Sequence, residues 1–558
     1  MLKKKNGFIV GFIIVFTLCH NAAASISQST ANQLDQDRAR ETTLTPQQQE
    51  YKSSQESNVR ENIIFPKEDN CKYIKEVNIE SEDNKLTNKL LGKIISQAKD
   101  RCIGIEGIRL LTSTLQNELI IKGYITSLID VPSQSLEHGV LNLTLTYGKI
   151  GQIAYADDVP VNKTLLWNSL PFSEDDILRL PDLEQGMANL QRLPGSSAHM
   201  QLLPGLKHAE SKIRLTRKLD KMWQIGAWLD DAGSRSTGRY QGGGALYLYD
   251  LTSLNDIIYV AAGGDVEFNQ HEKGNKNSSV YYSVPFGYWN MSLYASQSEY
   301  LQQFRGQWSS NDYESKNRYY SATLSRLLSH TRSQKTSLET RVFKSLSHYY
   351  FGGEELQVMR KQNPGWEVVL RHQRYFDNAV VDASVGVQNK LRWLGSAPTP
   401  EEKAGLYDNE ARIVHADLQA YMKFAATGDK FTWAPKISLQ LSPDKLSTDN
   451  KFNIGNRWTV RGFDGERTLS GNQGWYWRND FIWDTPAPGQ QFYTGLDIGR
   501  LQGSEEYGQG KVLSGAVAGV RGELISTQYD LFVGTPLYKP KGFHSQALNM
   551  GLSLQWRY

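Results

Sequence analysis

The sequence predicts an all-β transmembrane barrel of about 16 antiparallel strands, preceded by two small α+β modules. Three observations predict it. Short segments of alternating apolar and polar residues recur from about residue 222 onward. Tyr, Trp and Gly are abundant, at 28, 13 and 47 residues. After residue 24 no apolar run approaches 18 residues, which argues against a helical membrane span.

Residues 1–24 read as a secretory signal peptide. Lys3, Lys4 and Lys5 form a positive start, Gly7 to Cys19 is apolar apart from Thr17, and Ala22-Ala23-Ala24 offers a small-residue cleavage site before Ser25. The three lysines leave with this segment and no acid does. The 62 basic residues of the chain thus become 59, against 59 acidic ones. That balance gives no reason to invoke nucleic acid. Cys19 lies in the same segment, so Cys71 and Cys102 remain. An even pair in an exported chain suggests a disulfide, with two unrelated thiols as the alternative. Closing a loop of about 30 residues stabilises by roughly 3 kcal/mol in the chain-entropy account. No ligand cluster surrounds either cysteine, and neither a metal nor a cofactor is expected.

Residues 25–70 are polar, and their composition reads as a disordered tail. Within them, 30–50 could form a polar helix followed by a linker. Residues 71–148 read as a first module. Leu86, Leu90, Leu91, Ile94, Ile95 and Ala98 recur at helical spacing, as do Ile108, Leu111, Leu115 and Leu119, with Gly123 as a helix-ending glycine. Tyr73 to Ile79, Tyr124 to Asp130 and the alternating Leu141, Leu143, Leu145 and Tyr147 read as strands. Residues 149–220 repeat the plan, with a strand near Ile150 to Tyr155, helical material from Val161 to Arg192, and strands at Ala198 to Leu203 and Lys212 to Lys218.

Residues 221–558 carry the barrel pattern. The last strand is the clearest. Leu548, Met550, Leu552, Leu554, Trp556 and Tyr558 share one face, while Asn549, Gly551, Ser553, Gln555 and Arg557 share the other. The polar face cannot meet lipid, so it must meet a lumen. From residue 222 on, 337 residues remain. At roughly 20 residues per strand and connection, about 16 strands fit. A barrel of that size has an aqueous interior that something must fill at rest.

Between two barrel strands lies a long charged stretch from about Ser442 to Gly474. Arg461 within it is, taken alone, an ordinary loop arginine. On a later strand, Phe492, Thr494, Leu496 and Ile498 form one face and Tyr493, Gly495, Asp497 and Gly499 the other, so Asp497 points into the lumen. An enclosed carboxylate needs a partner, and an arginine on an infolded loop supplies bidentate geometry. No G-x-S-x-G elbow, H-E-x-x-H helix or Walker loop occurs, and the ten His are scattered.

These segments, in this order, resemble the transporters of two-partner secretion, in particular the branch that exports haemolysins and contact-dependent inhibition toxins. The motifs that carry the resemblance are Val460-Arg461-Gly462-Phe463, Gly495-Leu496-Asp497-Ile498-Gly499 and the turn Asp230-Asp231-Ala232-Gly233-Ser234-Arg235-Ser236-Thr237-Gly238. Weaker ones are Val284-Pro285-Phe286-Gly287-Tyr288-Trp289 and Asp182-Leu183-Glu184-Gln185-Gly186.

The resemblance implies an outer-membrane pore exporting one large secreted partner protein, with two periplasmic POTRA domains that capture it. It implies that Cys71 and Cys102 are paired, that the Arg461 loop folds back onto Asp497, and that part of 30–50 is a plug helix. Trp556 and Tyr558 resemble the C-terminal signal read by the barrel-assembly machinery. A monomer in outer-membrane lipid is expected. The alternatives are a general barrel-assembly factor of the same superfamily, a passive porin and a barrel enzyme.

Overall fold

The computed structural model describes residues 38–45, 62–155, 163–267, 273–305, 310–408, 410–426, 428–502 and 511–558. The expected signal peptide lies outside them. Of the expected plug segment, 38–44 are helical and the rest lies outside the described residues except Thr45.

Sixteen strands, from Trp223–Asp230 to Asn549–Arg557, pair in sequence order and antiparallel. The last strand pairs with the first, from Ser553↔Asp230 to Arg557↔Gly226, which closes the barrel and leaves no open edge. The alternation has a physical cause. On the strand Gln490–Gln502, Phe492, Leu496 and Ile498 are exposed outward while Tyr493 and Asp497 are buried inward. On the last strand, Met550 is exposed, whereas Gln555 and Arg557 bond Thr43 of the N-terminal helix. The polar face therefore looks into the lumen. No described helix is long and apolar enough to cross a membrane; the strands do so.

In the first module, Val140–Thr146 lies between Glu76–Ser81, parallel to it, and Leu128–Asp130, antiparallel. Helices Asn84–Ile95 and Ile105–Ile121 bring Leu91, Ile94, Leu111, Leu115 and Leu119 against Leu141 and Leu143 in a closed core. The Asp83 side chain caps the first helix, accepting from Leu86 N at 2.9 Å. Gly104 offers the second helix no side-chain cap.

Glu68, from the segment before the module, supplies that cap. Its carboxylate accepts from the N–H groups of Gly104, Glu106 and Gly107 at 3.1, 3.0 and 2.7 Å. Desolvation opposes its ionised form, but these three donors outweigh it and hold the carboxyl below its ordinary range. Ile63 and Phe65 also pack on this core, so 62–70 is bound to the module.

The strand expected at Tyr124 to Asp130 is shorter, and only Leu128–Asp130 pairs. Tyr124 and Ser127 instead close the helix end, with Tyr124 N donating to Leu119 O and Ser127 N to Tyr124 O, beyond Gly123 at φ +93°. Cys71 and Cys102 form a disulfide with Cα atoms 5.2 Å apart; Cys102 lies in the strand Arg101–Ile103, which pairs with Lys72–Ile74 directly after Cys71.

The second module has strands Lys149–Tyr155, Ser196–Pro204 and Glu210–Leu219 under helices Lys163–Ser169 and Leu180–Gln191. It is bonded to the barrel's periplasmic turns. Gly287 is the focus, at φ +55°. Its N–H donates to Asn168 O at 2.9 Å, and its carbonyl accepts from Asn189 Nδ2 at 2.8 Å and Gln185 Nε2 at 3.0 Å. Tyr288 donates to Asp182. The two weaker motifs, 182–186 and 284–289, thus meet at one joint. Arg217 pairs with Asp250 at 2.8 Å and Arg192 donates to Ser283 Oγ at 2.7 Å, extending it.

Candidate functional site: the loop and helix inside the barrel

Loop 442–472 joins strand Asp429–Leu441 to strand Gln473–Asp484 at the extracellular rim and folds back into the barrel. A short hairpin, Phe452–Ile454 with Leu469–Gly471, forms its neck. Beyond the neck, Asn456 Oδ1 accepts from Trp458 N and Thr459 N at 2.9 and 3.0 Å. Thr459 Oγ1 in turn accepts from Gly455 N at 3.1 Å. This knot turns Val460 and Arg461 toward the wall. Val460 is fully buried with Ile454, Phe463, Leu469, Leu501 and Leu513. Phe463 meets Phe543 edge-on, with ring centroids 5.8 Å apart.

Arg461 grips Asp497 with a fork. Nε donates to one carboxylate oxygen at 2.7 Å and Nη2 to the other at 2.9 Å. The backbone N–H of Arg461 donates to the first as well, at 2.9 Å. Nη2 also reaches Asp480, on the neighbouring strand. Arg461 is 5% exposed and Asp497 2%. Desolvation disfavours the guanidinium charge, but the two carboxylates outweigh it and raise its pKa.

Four glycines make room. Gly462 adopts φ +95°, and its carbonyl accepts from Asn549 Nδ2 at 2.7 Å. A Cβ on Gly515 would collide with the Arg461 carbonyl, and one on Gly495 with the Arg461 guanidinium. One on Gly499 would come within 2.8 Å of Val460.

The loop tip also reaches the turn after the first strand. Glu466 accepts from Ser234 Oγ and Arg235 N, both at 2.9 Å, and Arg457 pairs with Asp231. Asp231 is held by Arg239 at 3.0 Å and by Leu552 N at 2.8 Å.

The preceding residue, Asp230, faces the other way, toward helix 38–44. Arg40 Nε and Nη2 donate to its two oxygens at 2.8 and 3.0 Å, with both residues buried. Leu44 packs among Trp228, Tyr247 and Tyr259. Tyr247 donates to Leu44 O at 3.0 Å, and Ser279 to Glu41 at 3.1 Å. A cavity of about 700 Å³ lies beside the helix, lined by residues including Tyr294, Tyr319, Arg341, Glu367 and Lys390.

The description "Haemolysin secretion/activation protein ShlB/FhaC/HecB" matches residues 209–522. The chain belongs to that family. A POTRA domain of ShlB type matches 73–148, and a second POTRA domain matches 149–204. The chain is 31% identical to the outer membrane transporter CdiB-2 of Burkholderia pseudomallei, over 81% of this chain and 78% of that one. It is 27% identical to the hemolysin transporter protein HpmB of Proteus mirabilis, over 89% and 88%. The structure of CdiB from Acinetobacter baumannii superposes with a TM-score of 0.84 at 25% identity, covering 96% of this chain and 99% of that one. The chain is an outer-membrane transporter of two-partner secretion, and its POTRA domains lie in the periplasm.

The residues singled out from sequence fall in three places. Val460, Arg461, Gly462 and Phe463 meet Gly495, Asp497 and Gly499 at the lumenal wall. Cys71 and Cys102 sit in the first POTRA domain. Trp556 and Tyr558 lie at the barrel seam, where Tyr558 stacks on Trp556, meets Trp223 at a tilt and lies under the Lys221 ammonium at 4.5 Å. Sequence reasoning missed Asp480, Gly515, Asn549 and Arg457. Asp480 carried a usable signal. It shares a strand face with Arg478 and Tyr476, between the outward Trp475, Trp477 and Phe481.

Proposed function

We propose that this transporter exports one large TpsA-type exoprotein of the haemolysin, adhesin or inhibition-toxin kind. The relatives' names, CdiB-2 and HpmB, point to that class of cargo. The partner arrives unfolded in the periplasm and is captured by the POTRA domains. Leu128–Asp130 and Ser196–Pro204 are edge strands with exposed Leu128 and Leu202, which suits capture by strand addition. Helix 38–44 then leaves, and the chain passes through the lumen beside the Arg461 loop. Folding of the partner outside prevents its return, and no nucleotide is involved.

The observation that carries this reading is the pair of lumenal segments held by different means: a loop sealed into the wall and a helix clasped by side chains. Trp556 and Tyr558 serve, in the same reading, as the signal for the barrel-assembly machinery. The test is a secretion assay. The chain is co-expressed with the large exoprotein encoded beside it, with an empty vector and Arg461→Ala as controls. The exoprotein is expected outside the cell only with the intact chain. Retention in the periplasm beside a correctly inserted wild-type barrel would overturn the assignment.

A further inference from the structure

We propose that Trp167 anchors the second POTRA domain in the periplasmic leaflet of the outer membrane, with phospholipid as its partner. Helix Lys163–Ser169 packs against the strand Lys273–Phe286 at its periplasmic end. The face it meets is the outer one. Val280, Tyr282, Val284 and Phe286 alternate on that face, and their antiparallel neighbours Leu293, Met291 and Trp289 are exposed outward. This is the apolar band that the barrel turns to lipid. The Trp167 ring meets the Phe286 ring edge-on at 5.7 Å. A side chain touching the lipid-facing wall from outside must itself lie on the lipid side of that wall.

Trp167 is nonetheless 70% exposed, so protein covers little of it. A lone exposed tryptophan would need no explanation. This one extends an existing girdle. Trp289 pairs opposite Phe286 and carries the Arg326 guanidinium 5.0 Å above its ring. Indoles settle at the headgroup level, where an apolar ring meets lipid and the N–H meets water. Lys163 is exposed one turn before Trp167 on the same helix face, as expected of a cation among lipid phosphates. The helix is not free to turn away. Asn168, its next residue, is pinned to the barrel through Pro285 O at 3.0 Å and Gly287 N at 2.9 Å. The indole thus fixes the height of the domain beneath the pore mouth, independently of which partner is exported.

The test uses the full mature chain, whose Cys71 and Cys102 are tied in a disulfide and do not react. Trp167→Cys and Leu206→Cys are each labelled with a thiol-reactive environment-sensitive fluorophore. Leu206 is fully exposed on the hairpin of the same domain and serves as the water reference. Both proteins are reconstituted in phosphatidylethanolamine–phosphatidylglycerol liposomes, with and without lipid carrying a nitroxide near the headgroup. The label at 167 should emit to the blue of the label at 206 and lose emission to the nitroxide lipid. Equal emission and no quenching at 167 would overturn the anchor. If the cysteine variant fails to assemble, quenching by brominated lipid is compared between the unsubstituted chain and Trp167→Phe. A smaller quenched fraction in Trp167→Phe supports the anchor, and an equal one overturns it.

Discussion

Loop 442–472 and helix 38–44 both occupy the lumen, yet they are built to different ends. The loop is tethered at both ends to adjacent barrel strands, Leu441 and Gln473. Its main chain is pressed into the wall, with the Arg461 carbonyl against Gly515 and Gly462 under Asn549. It cannot leave without unpacking buried backbone. The helix touches the wall through its side chains Arg40, Glu41 and Leu44 and, at its C-terminal end, through the Thr43 and Leu44 carbonyls, which accept from Arg557 and Tyr247. Past Thr45 the chain continues to Ile63 and Phe65, which are packed on the periplasmic first domain. Residues 46–61 lie between, and a chain of that length spans at most about 60 Å. In the proposed mechanism that reach suffices for withdrawal of 38–44 toward the periplasm. On that mechanism, then, permanence in this lumen follows from how a segment is tethered.

The largest effect that would break this contrast is expected from Arg461→Ala. Asp497 would be left buried without its fork, a loss of roughly 3–5 kcal/mol for a broken buried pair. Export should fall to background while the barrel still inserts, as judged by partner in the medium and by heat-shifted gel mobility. Normal export would remove the loop's proposed role. Gly515→Val comes next. It leaves every charge in place but puts a side chain where the Arg461 carbonyl sits. An export defect like that of Arg461→Ala would show that seating of the backbone matters as well as the ion pair. Wild-type export would mean that the wall yields.

Arg40→Ala acts on the other segment. Removing a charged hydrogen-bonded clasp weakens the helix seat by about 1.5–3 kcal/mol. The expected outcome is higher resting conductance in planar bilayers with export retained. Lost export at unchanged conductance would contradict a removable helix.

The sequence revealed the two kinds of segment unequally. Strand faces were readable because lipid and water impose a period of two, and Asp497 stood out as a charge on the lumenal side of Gln490–Gln502. Both module folds were readable from apolar spacing, such as Leu111, Leu115 and Leu119 in one helix. Strand register was not readable. That Asp480 stands opposite Gly495, and so beside the Arg461 guanidinium, depends on the pairing of Gln473–Asp484 with Gln490–Gln502. The same holds for Asn549 and Gly515, which meet the loop only through the closed ring of strands. Glu68 escaped notice for a related reason: it caps a helix that begins 37 positions later, at Ile105. Local pattern does not encode contacts closed by distant chain.

The smallest expected effect tests the turn where two adjacent residues hold the two segments. Asp230 holds the helix through Arg40, and the adjacent Asp231 holds the loop through Arg457. Burial opposes ionisation of Asp231, but Arg457, the Leu552 N–H and Arg239 together outweigh it and lower its pKa. A carboxyl depressed in the folded state contributes stability above its unfolded pKa and loses it as pH falls through the folded one. Resting conductance should thus stay flat from neutral pH down to about 4, the ordinary aspartate value, and rise only in stronger acid. Asp231→Asn should raise the resting level modestly and flatten the acid response. An opening centred near neutral pH, or an acid response unchanged in Asp231→Asn, would assign the titration to another group. The contrast between sealed loop and clasped helix would then have to be sought away from the turn at 230–238.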